Sequence, residues 1–302
     1  MINAIKKLKK IKAKRVFVQF PEGIKLKIED ITKELEKAGF EVVVCIEPCF
    51  GACDIRENEA RLLNCDAILH IGHENYGVKT TIPVVFWEYF LEKNPLPILE
   101  KEFQKLEKFK KIGLITSLQF VQSIPTVKKF LEERGKKVFV YKDLQYPGQV
   151  LGCRTIAAKK IERNVDCFLA ISAGKFYAQG LILSVKKPVF NLDLEKEEIH
   201  SLEGERRKLM KIIAWNKSQL KDAKKIGLLV SWKLGQFKLP YELKRKLERQ
   251  GKEVYILAMD EITPEKIEGL KLDGLINLAC PRIATDDVFK YSIPILNMSD
   301  LE

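Results

Sequence analysis

The sequence predicts an α/β protein made of three similar domains, each a sandwich of helices around a parallel sheet. Three observations lead there. A strand, helix, strand order recurs three times at a spacing of roughly a hundred residues, the mark of repeated small domains. A glycine stands at the end of each helical run, and a proline-led apolar run closes each recurrence.

Taken in order, Ile2, Ile5, Leu8 and Ile11 recur at helical spacing among lysines, which predicts an amphipathic helix packed on the outside. The first unit then reads as an apolar strand over 15–20, a charged helix, a strand over 41–46, a cysteine turn at 47–54 and a strand over 66–72. The second repeats this at 111–117, 138–141, Gly152-Cys153-Arg154 and 166–171, and the third at 225–231, 253–257 and 273–280. Continuous apolar strands separated by helical segments are the pattern of βαβ units, whose parallel strands are buried on both faces. Gly39, Gly135 and Gly251 fall one or two residues before a strand, where a left-handed residue ends a helix. Pro83, Pro188 and Pro294 each precede a last short apolar run. Asn94-Pro95-Leu96-Pro97 breaks both helix and strand, and 195–221 reads as a long charged helix with Leu202, Leu209, Ile213 and Leu220 as its apolar face. The expected domains are 1–95, 96–196 and 197–302, carrying Cys53, Cys153 and Cys280 respectively.

With 302 residues and 46% apolar content the chain can bury real cores. Its net charge of +12, from 53 basic against 41 acidic residues, is spread along helices such as 101–111 and 206–217. That spread favours solvated helix faces over a nucleic-acid surface, which clusters Lys and Arg among aromatics. There is no apolar run of ~18 residues and no leader with a cleavage site, so a cytoplasmic setting without membrane contact is expected. Seven cysteines in such a chain point to thiol or metal chemistry, not to a disulfide framework. Cys45 and Cys167 lie in apolar strand patterns and Cys65 closes a helix, so these three read as buried inert thiols.

Ligands of open parallel sheets gather outside the carboxyl ends of the strands. Cys53 and Cys153 occupy such loops, each before a helix; Cys280 comes one strand later, at the position matching His73 and Ala173. Three units around a pseudo-threefold axis with those edges inward would bring three thiolates to one central iron–sulfur site. Three thiolates suit a [4Fe–4S] cluster with one iron left open. Three ordinary loop cysteines are the alternative. Cys45-x3-Cys49-x3-Cys53 superficially resembles the radical S-adenosylmethionine spacing, but the last interval is wrong and Pro48 forbids a helix through it. Zinc is not expected there, since His70 and His73 are the only nearby histidines. Gly174-Lys175-Phe176 lacks the rest of a phosphate loop, and His200 reads as a solvated helix residue.

Pro21-Glu22-Gly23, Cys49-Phe50-Gly51-Ala52-Cys53-Asp54, Gly152-Cys153-Arg154, Ser231-Trp232-Lys233-Leu234-Gly235-Gln236 and Cys280-Pro281-Arg282-Ile283-Ala284 together resemble, in order and over nearly the whole chain, the archaeal diphthamide-synthesis 3-amino-3-carboxypropyl transferases. The resemblance implies a homodimer of pseudo-threefold α/β chains and a [4Fe–4S] cluster held by Cys53, Cys153 and Cys280, with no catalytic side chain beyond it. It also implies cleavage of S-adenosylmethionine between sulfur and the methionine γ-carbon, driven by an external electron donor. Methylthioadenosine is released, and the 3-amino-3-carboxypropyl radical adds to C2 of a histidine on translation elongation factor 2. Arg282 is the candidate for the methionine carboxylate, because a guanidinium donates two parallel hydrogen bonds. Gln236 and Lys233 belong to the same expected cofactor set, and Gly174 would allow close backbone approach. Trp232 stands where smaller residues are common, a departure that bears on pocket shape. Cys49 is close enough to Cys53 to substitute as a ligand. Two other readings stay open: a quinolinate-synthase-like iron–sulfur dehydratase, and an accessory iron–sulfur or RNA-binding protein.

Overall fold

A computed structural model describes residues 1–301. It contains three sheets, one per sequence repeat, in two compact units: Met1–Leu91 with Lys233–Gly235, and Glu92–Trp232 with Gln236–Glu302.

The first unit opens with α1 (Ile2–Lys10), which buries Ala4 and Leu8 while Ile2 stays exposed. Burying Leu8 contributes about 1.5–3 kcal/mol. Its sheet holds β1 (Arg15–Gln19), β2 (Glu41–Val44), β3 (Ala67–Ile71) and β4 (Val84–Trp87), all parallel, in the order β2-β1-β3-β4. Alternate residues face two cores. Val16, Val18 and Leu69 pack against Leu8 and against Ile31 and Leu35 of α2 (Ile28–Lys37), while Phe17 and Ile68 pack against Ala60 of α3 (Glu57–Leu62). This is the expected three-layer sandwich.

The second unit holds two further sheets of the same order. One joins β5 (Lys111–Thr116), β6 (Lys137–Phe139), β7 (Cys167–Ser172), β8 (Val189–Asp193) and β9 (Glu198–Ser201) as β6-β5-β7-β8-β9, with α4 (Leu96–Glu102), α5 (Ile124–Glu133), α6 (Ile156–Ile161) and α7 (Phe176–Ile182) around it. After α8 (Glu203–Asp222), the other joins β10 (Lys225–Ser231), β11 (Glu253–Met259), β12 (Gly274–Asn277) and β13 (Ile295–Asn297) as β11-β10-β12-β13, with α9 (Tyr241–Glu248). One apolar cluster takes Phe168 and Ala170 of β7 together with Leu229 of β10, Leu275 of β12 and Leu209 of α8. A core shared between the two sheets is why they form one unit.

Gly39, Gly135 and Gly251 end their helices at φ of +93°, +76° and +80°, as their positions predict. The expected helix over 195–221 begins late. Asp193 Oδ1 accepts from the backbone N–H groups of Glu195 and Lys196, Glu197 turns at φ 54°, and β9 then pairs antiparallel with β8 before α8 starts. An Asx turn followed by one buried residue, Ile199, outcompetes helix there. His200 therefore lies half-buried on a strand beside Glu198, not on a solvated helix.

A second repeated device ties each central strand to its neighbour. Asp66 accepts from Lys14 N, Asp166 from Lys110 N and Lys111 N, and Asp273 from Lys224 N and Lys225 N, at 2.7–3.0 Å. The Lys225 and Lys224 amides lower the Asp273 carboxyl below its ordinary 3.8. Its stabilising contribution is thus present above pH 3.8 and lost as pH falls through the lowered value. Asp273→Ala is expected to lower the thermal midpoint by about 2–4 °C at neutral pH. In calorimetry across pH, the gap from wild type should close as pH falls below 3.8 through the lowered value.

Candidate metal and cofactor site

At the carboxyl end of each central strand a polar residue is buried where the strand pattern is otherwise apolar: Gln19, Thr116, Ser231 and, on the neighbouring strands, His70, Ser172 and Asn277. Buried amides and hydroxyls must be hydrogen-bonded, and the Gln19 and Asn277 amides make those bonds to the loops that follow.

In the first unit Gln19 Nε2 donates to Asp54 O at 3.0 Å, and its Oε1 accepts from Arg56 N at 2.9 Å, clamping both sides of the turn after Cys53. Lys233 Nζ reaches the Asp54 carboxylate at 2.6 Å with both side chains buried. Removing one partner of such a pair costs about 3–5 kcal/mol, because the other charge is left buried alone. Two residues on, Gly235 N donates to Cys53 O at 2.9 Å. A Cβ on Gly235 would lie 2.5 Å from Cys53 Cα and 2.7 Å from the Tyr76 hydroxyl, so only glycine permits this approach. A cavity of about 360 Å³ adjoins it, lined by Tyr76, Gly77, Val78, Lys79, Leu234 and Gly235.

In the second unit the Cys153 and Cys280 loops are both seated on the start of α7. Gly152 packs on the Phe176 ring, and the Gly152 carbonyl approaches Gly180 so closely that a Cβ there would sit 2.3 Å from it. Arg282, two residues past Cys280, stacks 4.4 Å from the Phe176 ring, and its Nη2 donates to Phe176 O and to the Asp286 carboxylate. Its Nε is buried without a hydrogen-bond partner among the described residues. Behind Cys153, Thr116 N donates to Gly148 O and Val150 N to Thr116 O, extending β5 into the cysteine loop. Behind Cys280, Asn277 Nδ2 donates to Cys280 O at 2.7 Å and to Asn297 Oδ1 at 2.8 Å, and Asn297 Nδ2 donates to Pro281 O. Gly174 adopts φ +70°, held by Asp193, Ser172 and Asn191, and the space its side chain would fill is open. Gln236 is half-buried.

The seven cysteines separate by environment. Cys45, Cys49, Cys65 and Cys167 are buried, and burial pushes their thiols up, to about 12 for Cys49 and Cys167. Cys53 and Cys280 are half-buried and Cys153 is exposed, each in a loop that follows a strand. Thiolate donors need access and little desolvation, so this donor set fits an iron–sulfur cluster better than Cys45, Cys65 and Cys167, buried in apolar surroundings. Cys49 points instead at His70, 3.6 Å away. The sequence alone left Gln19, Asp54 and Phe176 unrecognised; the one signal for Gln19 is a polar residue inside an apolar strand.

Gly235→Ala is expected to weaken iron binding about 10–100-fold, as loss of support around a metal ligand does. Iron per chain after anaerobic reconstitution measures it, with circular dichroism unchanged.

Residues 20–302 match the family model for diphthamide synthesis proteins. The chain is 33% identical to the 2-(3-amino-3-carboxypropyl)histidine synthase of Pyrococcus horikoshii, over 99% of this chain and 87% of that one. It is 31% identical to the synthase of the same name from Methanocaldococcus jannaschii, over 98% and 85%. The fold superposes on the crystal structure of Dph2 from Pyrococcus horikoshii with a 4Fe-4S cluster, with a TM-score of 0.90 and 29% identity over 100% of this chain and 88% of that one.

Proposed function

Because the chain belongs to the diphthamide-synthesis family and is a transferase of the 2-(3-amino-3-carboxypropyl)histidine synthase type, we propose that it moves the 3-amino-3-carboxypropyl group of S-adenosylmethionine onto C2 of a histidine of translation elongation factor 2. Cys53, Cys153 and Cys280 would each give one thiolate to a [4Fe–4S] cluster. The sorting of cysteines by burial carries this reading, since it leaves these three, one per repeat, as accessible donors. When bound, the cluster would supply one electron to the sulfonium; the bond from sulfur to the γ-carbon would break, methylthioadenosine would leave, and the carbon radical would add to the histidine C2, whose hydrogen then departs as a proton and one electron.

The chain's own residues would bind and orient. Arg282 is the candidate for the methionine carboxylate, its guanidinium held in place by Phe176 and Asp286. Gly174 offers an open backbone face to the ligand, and Gln236 a polar side chain. Lys233 acts at one remove, through the Asp54 carboxylate that braces the Cys53 turn. Which carbon faces the iron decides which bond breaks, so placement of the methionine end selects the product. We further assign a homodimer, an external electron donor and a cytoplasmic setting; among the described residues no helix is long and apolar enough to cross a membrane.

Anaerobically reconstituted and reduced protein is expected to convert S-adenosylmethionine to methylthioadenosine. Cys53→Ser, Cys153→Ser and Cys280→Ser should each reduce this at least about a hundredfold, while Cys65→Ser and Cys167→Ser retain iron. Deoxyadenosine as the product, or equal iron loss in both sets, contradicts the proposal. No cleavage by a fully loaded protein would favour the dehydratase, and salt-sensitive RNA binding without turnover the accessory reading.

A further inference from the structure

A second group of metal-binding side chains lies in the first unit, and the cluster chemistry does not use it. His70, at the carboxyl end of β3, is fully buried and pairs in register with Gln19 of β1. In a sheet of order β2-β1-β3-β4 the gap between β1 and β3 is the switch point, where such folds bind ligands. There the Cys49 Sγ lies 3.6 Å from His70 Nε2, and His70 Nε2 lies 3.1 Å from His73 Nδ1. All three atoms fall within 4.8 Å of one another.

Hydrogen bonding does not account for this arrangement. A neutral imidazole nitrogen carries either one hydrogen or one lone pair, in a single direction in the ring plane. His70 Nε2 has two close heteroatom neighbours, so it can satisfy one of them properly and not both. A metal ion resolves the conflict by letting all three atoms point at one centre. For tetrahedral zinc, with bonds of about 2.3 Å to sulfur and 2.0–2.1 Å to nitrogen, the donor atoms stand about 3.5 Å (S to N) and 3.3 Å (N to N) apart. The two observed separations, 3.6 and 3.1 Å, match this spacing.

The geometry points to Cys49 Sγ, His70 Nε2 and His73 Nδ1 as the ligands of one zinc ion, distinct from the cysteines assigned to the cluster. The sequence argued against zinc because His70 and His73 were the only nearby histidines; β3 and the turn after it bring both to Cys49. Binding replaces the Cys49 S–H bond with an S–Zn bond and releases the proton to solvent. The fourth position is left to water on the side of half-buried His73. His70 Nδ1 has no hydrogen-bond partner among the described residues, and such a missing support weakens a site about 10–100-fold. The ion would pin the turn 49–54 at its first residue as Gln19 pins it at its last.

Cluster-loaded full-length protein, kept anaerobic, is titrated with zinc and desalted, and zinc and iron are counted on the same sample. The expected result is one zinc per chain with iron unchanged. Cys49→Ser and His73→Gln should each weaken zinc retention at least about tenfold, leaving iron in place, while Cys65→Ser behaves as wild type. In cobalt-loaded protein, a thiolate-to-cobalt charge-transfer band should vanish in Cys49→Ser. Should Cys49→Ser fail to fold, His73→Gln decides alone, with its fold checked by circular dichroism. Failure of wild type to retain zinc, retention unaffected by His73→Gln, or zinc uptake matched by iron loss overturns the assignment. Iron content read separately distinguishes failure here from failure of the cluster reading.

Discussion

Each cysteine loop hangs from a buried polar group at the end of a parallel strand. A parallel sheet ends in a row of unsatisfied backbone groups, and a loop leaving it is free to move unless something binds those groups. Gln19 and Asn277 do so through their side-chain amides, and Thr116 through its own backbone N–H and C=O, with hydrogen bonds to the backbone on or near the cysteine turns. Because each lies in a packed core, its bonds are made in a low dielectric and cannot be exchanged for water. Rigid sheets thereby fix loops that would otherwise be the most mobile part of the fold, as a metal site requires.

Desolvation divides the thiols by the same logic. A thiolate in an apolar core is costly, so Cys45, Cys65 and Cys167 are protonated packing residues. Cys53, Cys153 and Cys280 keep access to solvent. The glycines near them serve a geometric purpose: Gly235 lets one loop rest on Cys53, and Gly180 lets the Cys153 loop rest on α7. The buried Lys233 to Asp54 pair adds a charge-assisted tie to the Cys53 turn.

Much of this was legible in the residues. Repeated apolar strands, glycine stops and proline-led runs give the three sheets, because burial on both faces leaves no polar alternation and a left-handed residue must end each helix. The three cysteines proposed for the cluster were set apart in the sequence because each lies in a loop that follows a strand. What stayed hidden depends on contacts distant in sequence. Nothing near Asp54 announces Lys233, 179 residues away, and nothing near Cys49 announces His70. The strand β9 was hidden too, since its four residues lie inside a charged stretch that reads as helix until the Asp193 turn is seen.

The central claim is that three thiolates, one from each repeat, hold a cluster whose fourth iron is open to S-adenosylmethionine. Mössbauer spectroscopy of the 57Fe-loaded protein, with and without S-adenosylmethionine, tests it most directly. The account predicts one iron in four whose signal differs from the rest and changes when S-adenosylmethionine is added. Four irons that remain indistinguishable and unaffected would contradict it.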